Sequence, residues 1–200
     1  MSADVHTSRA DRQRVRVLAT AADIFSRRGF RATSMNEIAA AVGLSKPTLY
    51  HYFRSKEELL VRLYSDVLDE SLAMALEVVD SEPTPLEAVR ELIRSRVVYT
   101  CRRQALLKVC FEEEHELPAE LAEQLLRRRR AFEDLFSAAL DAHLRAHPSI
   151  EIGMPPKVWV NMVLGAANWT YKWFRESGDC TPEQLGDRIA ASLTAGITPA

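Results

Sequence analysis

The chain has 200 residues, of which 47% are apolar and 27% charged, with a formal net charge of −2 and only seven glycines. That composition excludes a disordered chain and leaves room for one large domain or two small ones around a sizeable core. No apolar run approaches the roughly 18 residues of a membrane span, and Met1-Ser2-Ala3-Asp4 lacks the basic-then-apolar order of a signal peptide. Three cysteines, Cys101, Cys110 and Cys180, sit at no zinc-like spacing and read as reduced thiols. A cytoplasmic chain that does not enter a membrane is expected.

Residues 1–8 read as a disordered start. From Arg9 to Arg28, Val15, Leu18, Ala19, Ala22 and Phe25 recur at helical spacing until Gly29 ends the run. Thr33 or Ser34 caps a short second helix, with Glu37 placed to complete a capping box with Ser34. Its apolar face is Met35, Ile38, Ala39 and Val42. Gly43 breaks it, and Ser45 caps a third short helix with Lys46 and Pro47 in its first turn. Ser55 caps a long helix to about Val79, and Ser81-Glu82-Pro83 is a break. Thr84 with Glu87 forms another capping box, ahead of Leu86, Val89, Leu92, Ile93, Arg96 and Val97. Further helical runs cover about Ala105 to Glu114, Pro118 to Leu140, and Lys157 to Arg175, with a loop from His147 to Pro156. Thr181, Pro182 and Gln184 open a last helix. No strand-like alternation and no internal repeat is found, so the fold class is all-α.

The weak net charge hides an asymmetry. Residues 1–60 hold ten Lys/Arg against six Asp/Glu, a net of +4, and residues 61–200 hold sixteen against twenty-two, a net of −6. A small basic head on an acidic body fits a DNA-binding module joined to another module. Glu37 to Tyr50 has the layout of a helix-turn-helix, whose second helix enters the major groove with its N-terminal residues on DNA. Ser45, Lys46 and Thr48 are donors at the start of that helix. Tyr50 and His51 can reach phosphates, and Lys56 opens the next helix. Leu44 and Leu49 are expected to bury against Phe25 and Ile38. The competing reading is a helical hairpin with a solvated polar face.

The stretch Val17-Leu18-Ala19-Thr20-Ala21-Ala22, Phe25, Gly29-Phe30, Thr33-Ser34, Ile38-Ala39, Val42-Gly43-Leu44-Ser45, Thr48-Leu49-Tyr50-His51-Tyr52-Phe53 and Ser55-Lys56-Glu57-Glu58-Leu59-Leu60 resembles the N-terminal domain of the TetR family of bacterial transcriptional regulators. The resemblance implies an all-helical homodimer with a three-helix DNA-binding head, placed at residues 1–55. A C-terminal body, residues 56–200, would bind an effector and dimerise. It also implies operator contacts at Thr33, Ser34, Lys46, Pro47, Thr48, Tyr50, His51 and Lys56. Met35 departs from the polar or basic residue that some members place there.

In the body, Asn168-Trp169-Thr170-Tyr171-Lys172-Trp173-Phe174-Arg175, with Gly178 and Thr181-Pro182-Glu183-Gln184-Leu185, is similar to TetR-type repressors of fatty-acid, sterol-side-chain and aromatic-acid catabolism. Those regulators sense acyl-CoA thioesters. The effector is accordingly expected among Phe111, His115, Phe132, Phe136, Asn168 and Trp169, with Asn168 on a thioester carbonyl and Arg175 near CoA phosphates. Against this stands a structural reading: Trp159, Met162, Ala166, Trp169 and Trp173 recur at helical spacing, as a core or dimer stripe does. Gly165-Ala166-Ala167 would admit a partner helix.

Arg127 to Arg130 cannot share one helical face and read as a solvated ridge. Glu112-Glu113-Glu114-His115-Glu116 has no metal spacing, because neighbours do not converge on an α-helix. No serine elbow, glycine-rich phosphate loop or carboxylate pair is present, so neither an enzyme nor a cofactor is expected. The sequence thus predicts a repressor that binds double-stranded DNA as a dimer at a palindromic operator and is released by a small effector such as an acyl-CoA. The alternatives are a multidrug or lipophilic-effector repressor, or a DNA-binding dimer with no ligand.

Overall fold

A computed structural model describes residues 9–199, so the start read as disordered over residues 1–8 lies outside the described residues. Among the described residues the chain is helical throughout: α1 (Arg9–Arg28), α2 (Met35–Val42), α3 (Lys46–Tyr52), α4 (Lys56–Ser81), α5 (Pro85–Arg102), α6 (Gln104–Glu112), α7 (Ala119–Ala146), α8 (Pro156–Trp173) and α9 (Pro182–Thr194). Short 3-10 turns occupy Glu114–Glu116 and Ala195–Ile197. The helix starts follow the expected capping chemistry. Ser34 with Glu37 and Thr181 with Gln184 form complete capping boxes. At Thr84 the hydroxyl accepts from the Glu87 N–H, but the Glu87 carboxylate takes the Thr84 hydroxyl rather than completing the expected reciprocal bond to backbone.

Two compact units emerge, and they do not follow a single cut of the chain. One gathers the described residues up to Ser65 together with Ala105–Ala122; the other holds Asp66–Gln104 and the chain from Glu123 onward. Where the sequence reading cut the chain between residues 55 and 56, these units divide α4 itself between Ser65 and Asp66, and Leu59, Leu60 and Leu63 of its first two turns belong to the first core.

The first unit has its core at Val17, Ala21 and Phe25 of α1, Ile38 and Ala39 of α2, Leu49 of α3 and the α4 leucines. Leu44 packs against this cluster, as expected. Val109 is part of it, and Leu106 and Leu117 pack on it, which is why residues 105–122 join this unit. Gly43, at φ 73°, closes α2 in the left-handed conformation. Its N–H donates to the Ala40 carbonyl and the Leu44 N–H to the Ala39 carbonyl, a double bond pattern that turns the chain sharply into α3. Arg16 donates to the Val42 carbonyl at 2.8 Å and satisfies one more open acceptor there.

The second unit buries Val89, Leu92 and Ile93 of α5, Phe132, Phe136 and Leu140 of α7, and Trp159, Val160 and Val163 of α8 in one cluster, with Ala190 of α9 and Ile197. α5 crosses α9 closely at Gly186, where a Cβ would stand 3.0 Å from the Arg94 carbonyl oxygen. His143, buried on α7, meets the Ile197 carbonyl at 2.6 Å and ties down the C-terminal turn.

Candidate functional site

α3 is held by one buried side chain, Leu49, which is fully enclosed in the first core. Burying a leucine contributes about 1.5–3 kcal/mol, and here it orients a whole turn of polar groups outward. Ser45, Lys46, Pro47, Thr48, Tyr50 and His51 are all exposed. Ser45 caps the helix by accepting from the Thr48 N–H, and its hydroxyl lies 2.7 Å from that of Thr48. The Lys46 ammonium stands 5.9 Å from the Tyr50 ring centroid. The result is a short exposed ridge of hydroxyl, imidazole and ammonium groups.

The turn before α2 is built from the other DNA-contact candidates. Ser34 is exposed at the cap, where its backbone and side chain both donate to Glu37. These bonds, backbone first, then hydroxyl, then the Arg28 charge, hold the Glu37 carboxyl below its usual range. Thr33 is only 3% exposed, and its hydroxyl donates to the Gly29 carbonyl at 2.9 Å. Lys56 is half-buried. Its ammonium donates to the carbonyls of Phe30 at 2.9 Å, Arg31 at 3.3 Å and Thr33 at 3.1 Å, and it lies 4.5 Å from the Phe30 ring centroid. An ammonium has three donors, and this turn provides three acceptors. In this conformation Thr33 and Lys56 shape the turn, while the other seven residues are on the surface.

Residues 105–122 clamp the same turn from a distant part of the sequence. Lys108 donates to the Ser26 carbonyl at 2.7 Å, Glu113 accepts from the Phe30 N–H at 3.0 Å, and Glu116 pairs with Arg31 at 2.5 Å. The 3-10 geometry of Glu114–Glu116 also draws neighbours together that an α-helix would separate. The ligand-type atoms of Glu113, His115 and Glu116 lie within 4.8 Å of one another, and His115 Nε2 is 3.1 Å from the Glu116 carboxylate. The sequence expectation that these side chains do not converge is corrected here. Their carboxylates are engaged by Phe30, Arg31 and His115.

The effector candidates are divided between the two units. Phe111 and His115 are exposed residues of the first unit. In the second unit Phe132 and Phe136 stack edge to face at 5.2 Å within the core. Trp169, 59% exposed, stands instead on the outer face of α8 with Val158, Met162 and Trp173. This divides the expected tryptophan stripe: Trp159 lies in the core, and Val158 takes its place on the outer face, one residue away around the helix. Gly165 on the same helix has no atom near its absent side chain.

Asn168 has a partner that spacing did not reveal. Its side-chain oxygen accepts from Arg96 Nε at 2.6 Å, and Arg96 Nη1 donates to the Ser71 hydroxyl at 2.8 Å. Arg96 is 5% exposed, and its guanidinium lies over the rings of Phe132 at 5.4 Å and Tyr99 at 5.7 Å. The Tyr99 hydroxyl donates to Glu70, and burial followed by that carboxylate pushes the phenol well above its usual range. The available signal was a cation in an apolar register, since Arg96 continues the stripe of Val89, Leu92 and Ile93.

Comparison with known proteins gives the context. The profile of "Bacterial regulatory proteins, tetR family" matches residues 17–63, and that of "Tetracyclin repressor-like, C-terminal domain" matches residues 82–197. The HTH-type transcriptional repressor KstR2 of Mycobacterium tuberculosis is 26% identical over 193 residues, covering 93% of each chain. The structure of that ketosteroid regulator superposes with a TM-score of 0.85 at 25% identity, covering 94% of this chain and 96% of its own. AibR, solved with isovaleryl coenzyme A and operator DNA, superposes with a TM-score of 0.77 at 28% identity, covering 90% of this chain and 97% of its own.

Proposed function

Because the chain belongs to the TetR family of bacterial regulatory proteins, we propose that it is a transcriptional repressor that binds its operator as a dimer and leaves it when an acyl-CoA thioester occupies the second unit. The observation that carries DNA binding is the α3 ridge: six exposed residues around one buried leucine, behind a glycine turn. Lys46 and Thr48 at the start of α3 read base edges. Tyr50, His51 and Ser34 position the head on phosphates. Thr33 and Lys56 serve the same end by holding the turn in shape.

The outer face of α8 supports the dimer. Met162, Trp169 and Trp173 are each about half exposed, and Gly165 leaves room for a helix to approach. Aromatics and methionine are enriched in the cores of such contacts, and a two-fold axis would pair this face with itself. Support for a thioester effector comes from the full-length likeness to AibR and from the Asn168 to Arg175 segment. Release requires that the ligand bind the two conformations unequally.

The test is titration of operator release with a series of acyl-CoA thioesters beside the matching free acids. Thioesters should release DNA at concentrations where the acids do not. Equal release by the free acids would replace the CoA reading with a lipophilic effector. No release by either would leave a DNA-binding dimer without a ligand.

A further inference from the structure

A carboxamide can present either its oxygen or its NH2 group to a neighbour, and at Asn168 the neighbour decides. Arg96 carries only N–H donors, so the Asn168 limb that meets it at 2.6 Å is the oxygen. The guanidinium cannot swing aside easily. It is held by Ser71 and lies over the rings of Phe132 and Tyr99, and Tyr99 is tied to Glu70 at 2.9 Å. The NH2 limb therefore points away from Arg96. Asn168 is half-buried rather than enclosed, so this limb is not lost inside the core.

From this we infer that Arg96 is a positioning residue that locks the Asn168 carboxamide as a donor, and that the second unit selects effectors presenting an acceptor oxygen to it. The inference rests on the effector reading above and narrows it: the recognised feature is a carbonyl or carboxylate oxygen, not the acyl chain alone.

Two probes differ only at the atom in question: octanoyl-CoA, a thioester, and S-octyl-CoA, the thioether without the carbonyl. Calorimetry on the full chain should give the thioester an advantage of about 3- to 10-fold, the value of one hydrogen bond to a neutral acceptor. Asn168→Asp still accepts from Arg96 but turns an oxygen outward. It should lose that advantage while keeping the melting temperature. Arg96→Gln, which can both donate and accept, lets the amide turn. It should shrink the advantage chiefly by weakening the thioester, with thioether affinity nearly unchanged.

Equal binding of both probes by the unsubstituted chain overturns the inference and leaves the CoA effector standing. So does an advantage that survives in Asn168→Asp, or an Arg96→Gln loss shared equally by both probes. If neither CoA compound binds, the CoA effector fails, and octanoate against octylamine decides the inference by thermal shift. Stabilisation by octanoate alone upholds it; stabilisation by octylamine, or by neither, overturns it.

Discussion

The α3 ridge and the outer face of α8 are built in opposite senses. α3 buries a single apolar side chain and exposes polar ones, whereas α8 exposes an apolar stripe while a cation, Arg96, is enclosed beside it. Each arrangement suits a different partner. Exposed donors remain hydrated until they meet a polyanion, and binding there gains mainly from displaced counterions. An apolar stripe gains from being covered, and a buried cation constrains which polar group is accepted nearby. The first surface is generic in affinity and specific in geometry; the second region is specific through chemistry.

Covering the α8 stripe should matter most. Met162→Lys combined with Trp173→Glu places charges where a partner helix would press, and truncating a central aromatic alone costs about 2 kcal/mol or more. We expect sedimentation velocity at micromolar concentration to move from dimer to monomer, and operator affinity to fall by roughly two orders of magnitude as the second half-site contact is lost. A dimer that survives the double substitution would assign the stripe to something else.

Next in size is the contrast between the two lysines of the first unit. Lys56→Ala removes three hydrogen bonds to carbonyls, and we expect about 1–3 kcal/mol lower stability in urea unfolding. The salt dependence of operator binding should hardly change. Lys46→Ala should do the reverse, leaving stability intact while altering the preferred site and lowering the salt slope by about one unit if it also neutralises a phosphate. A reduced slope in Lys56→Ala would mean that the ammonium leaves the turn when DNA arrives.

That contrast also marks how far the sequence could be read. The caps at Ser34, Ser45 and Thr181, and the turn at Gly43, were legible because their partners lie within a few residues. Thr33 and Lys56 were legible as donors, but a phosphate and a carbonyl are equally good acceptors, and only the folded turn distinguishes them. Periodicity found the α8 stripe yet misplaced it by one residue at Trp159, because aromatic character does not say which face is covered. The Arg96–Asn168 pair spans 72 positions and Lys108 reaches Ser26 across 82. No local pattern encodes such distances. The same is true of residues 105–122, whose apolar side chains complete the first core although they follow two helices later.

Two glycines sharpen the comparison of faces at a smaller scale. Gly186→Ala pushes a methyl group against the Arg94 backbone, which cannot move as a side chain can, and should destabilise the chain by about 1–3 kcal/mol. Gly165→Ala meets nothing within its own chain and gains about 1 kcal/mol of helix propensity. It should therefore raise the melting temperature of the monomeric double variant while loosening the dimer. A Gly165→Ala dimer as tight as the parent would show that the partner helix does not approach there.

The smallest expected effect lies at the cap of α2, on the polar side of the comparison. Glu37 is held below the ordinary carboxylate range by the Ser34 N–H, the Ser34 hydroxyl and Arg28. A carboxyl whose folded pKa is depressed contributes stability in full above its unfolded value, near 4.3, and that contribution disappears as pH falls through the lower folded value. The parent chain should thus lose stability faster than Glu37→Gln as acid is added below about pH 5, with the two curves parallel above pH 6. Glu183, also depressed by bonds at the start of α9 and by Arg102, gives the matching measurement in the second unit. Urea midpoints taken from pH 7 down to pH 3 read both. If Glu37→Gln tracks the parent through the acid range, the capping carboxylate does not stabilise the turn that carries the α3 ridge, and its bonds are no stronger than those it makes to water.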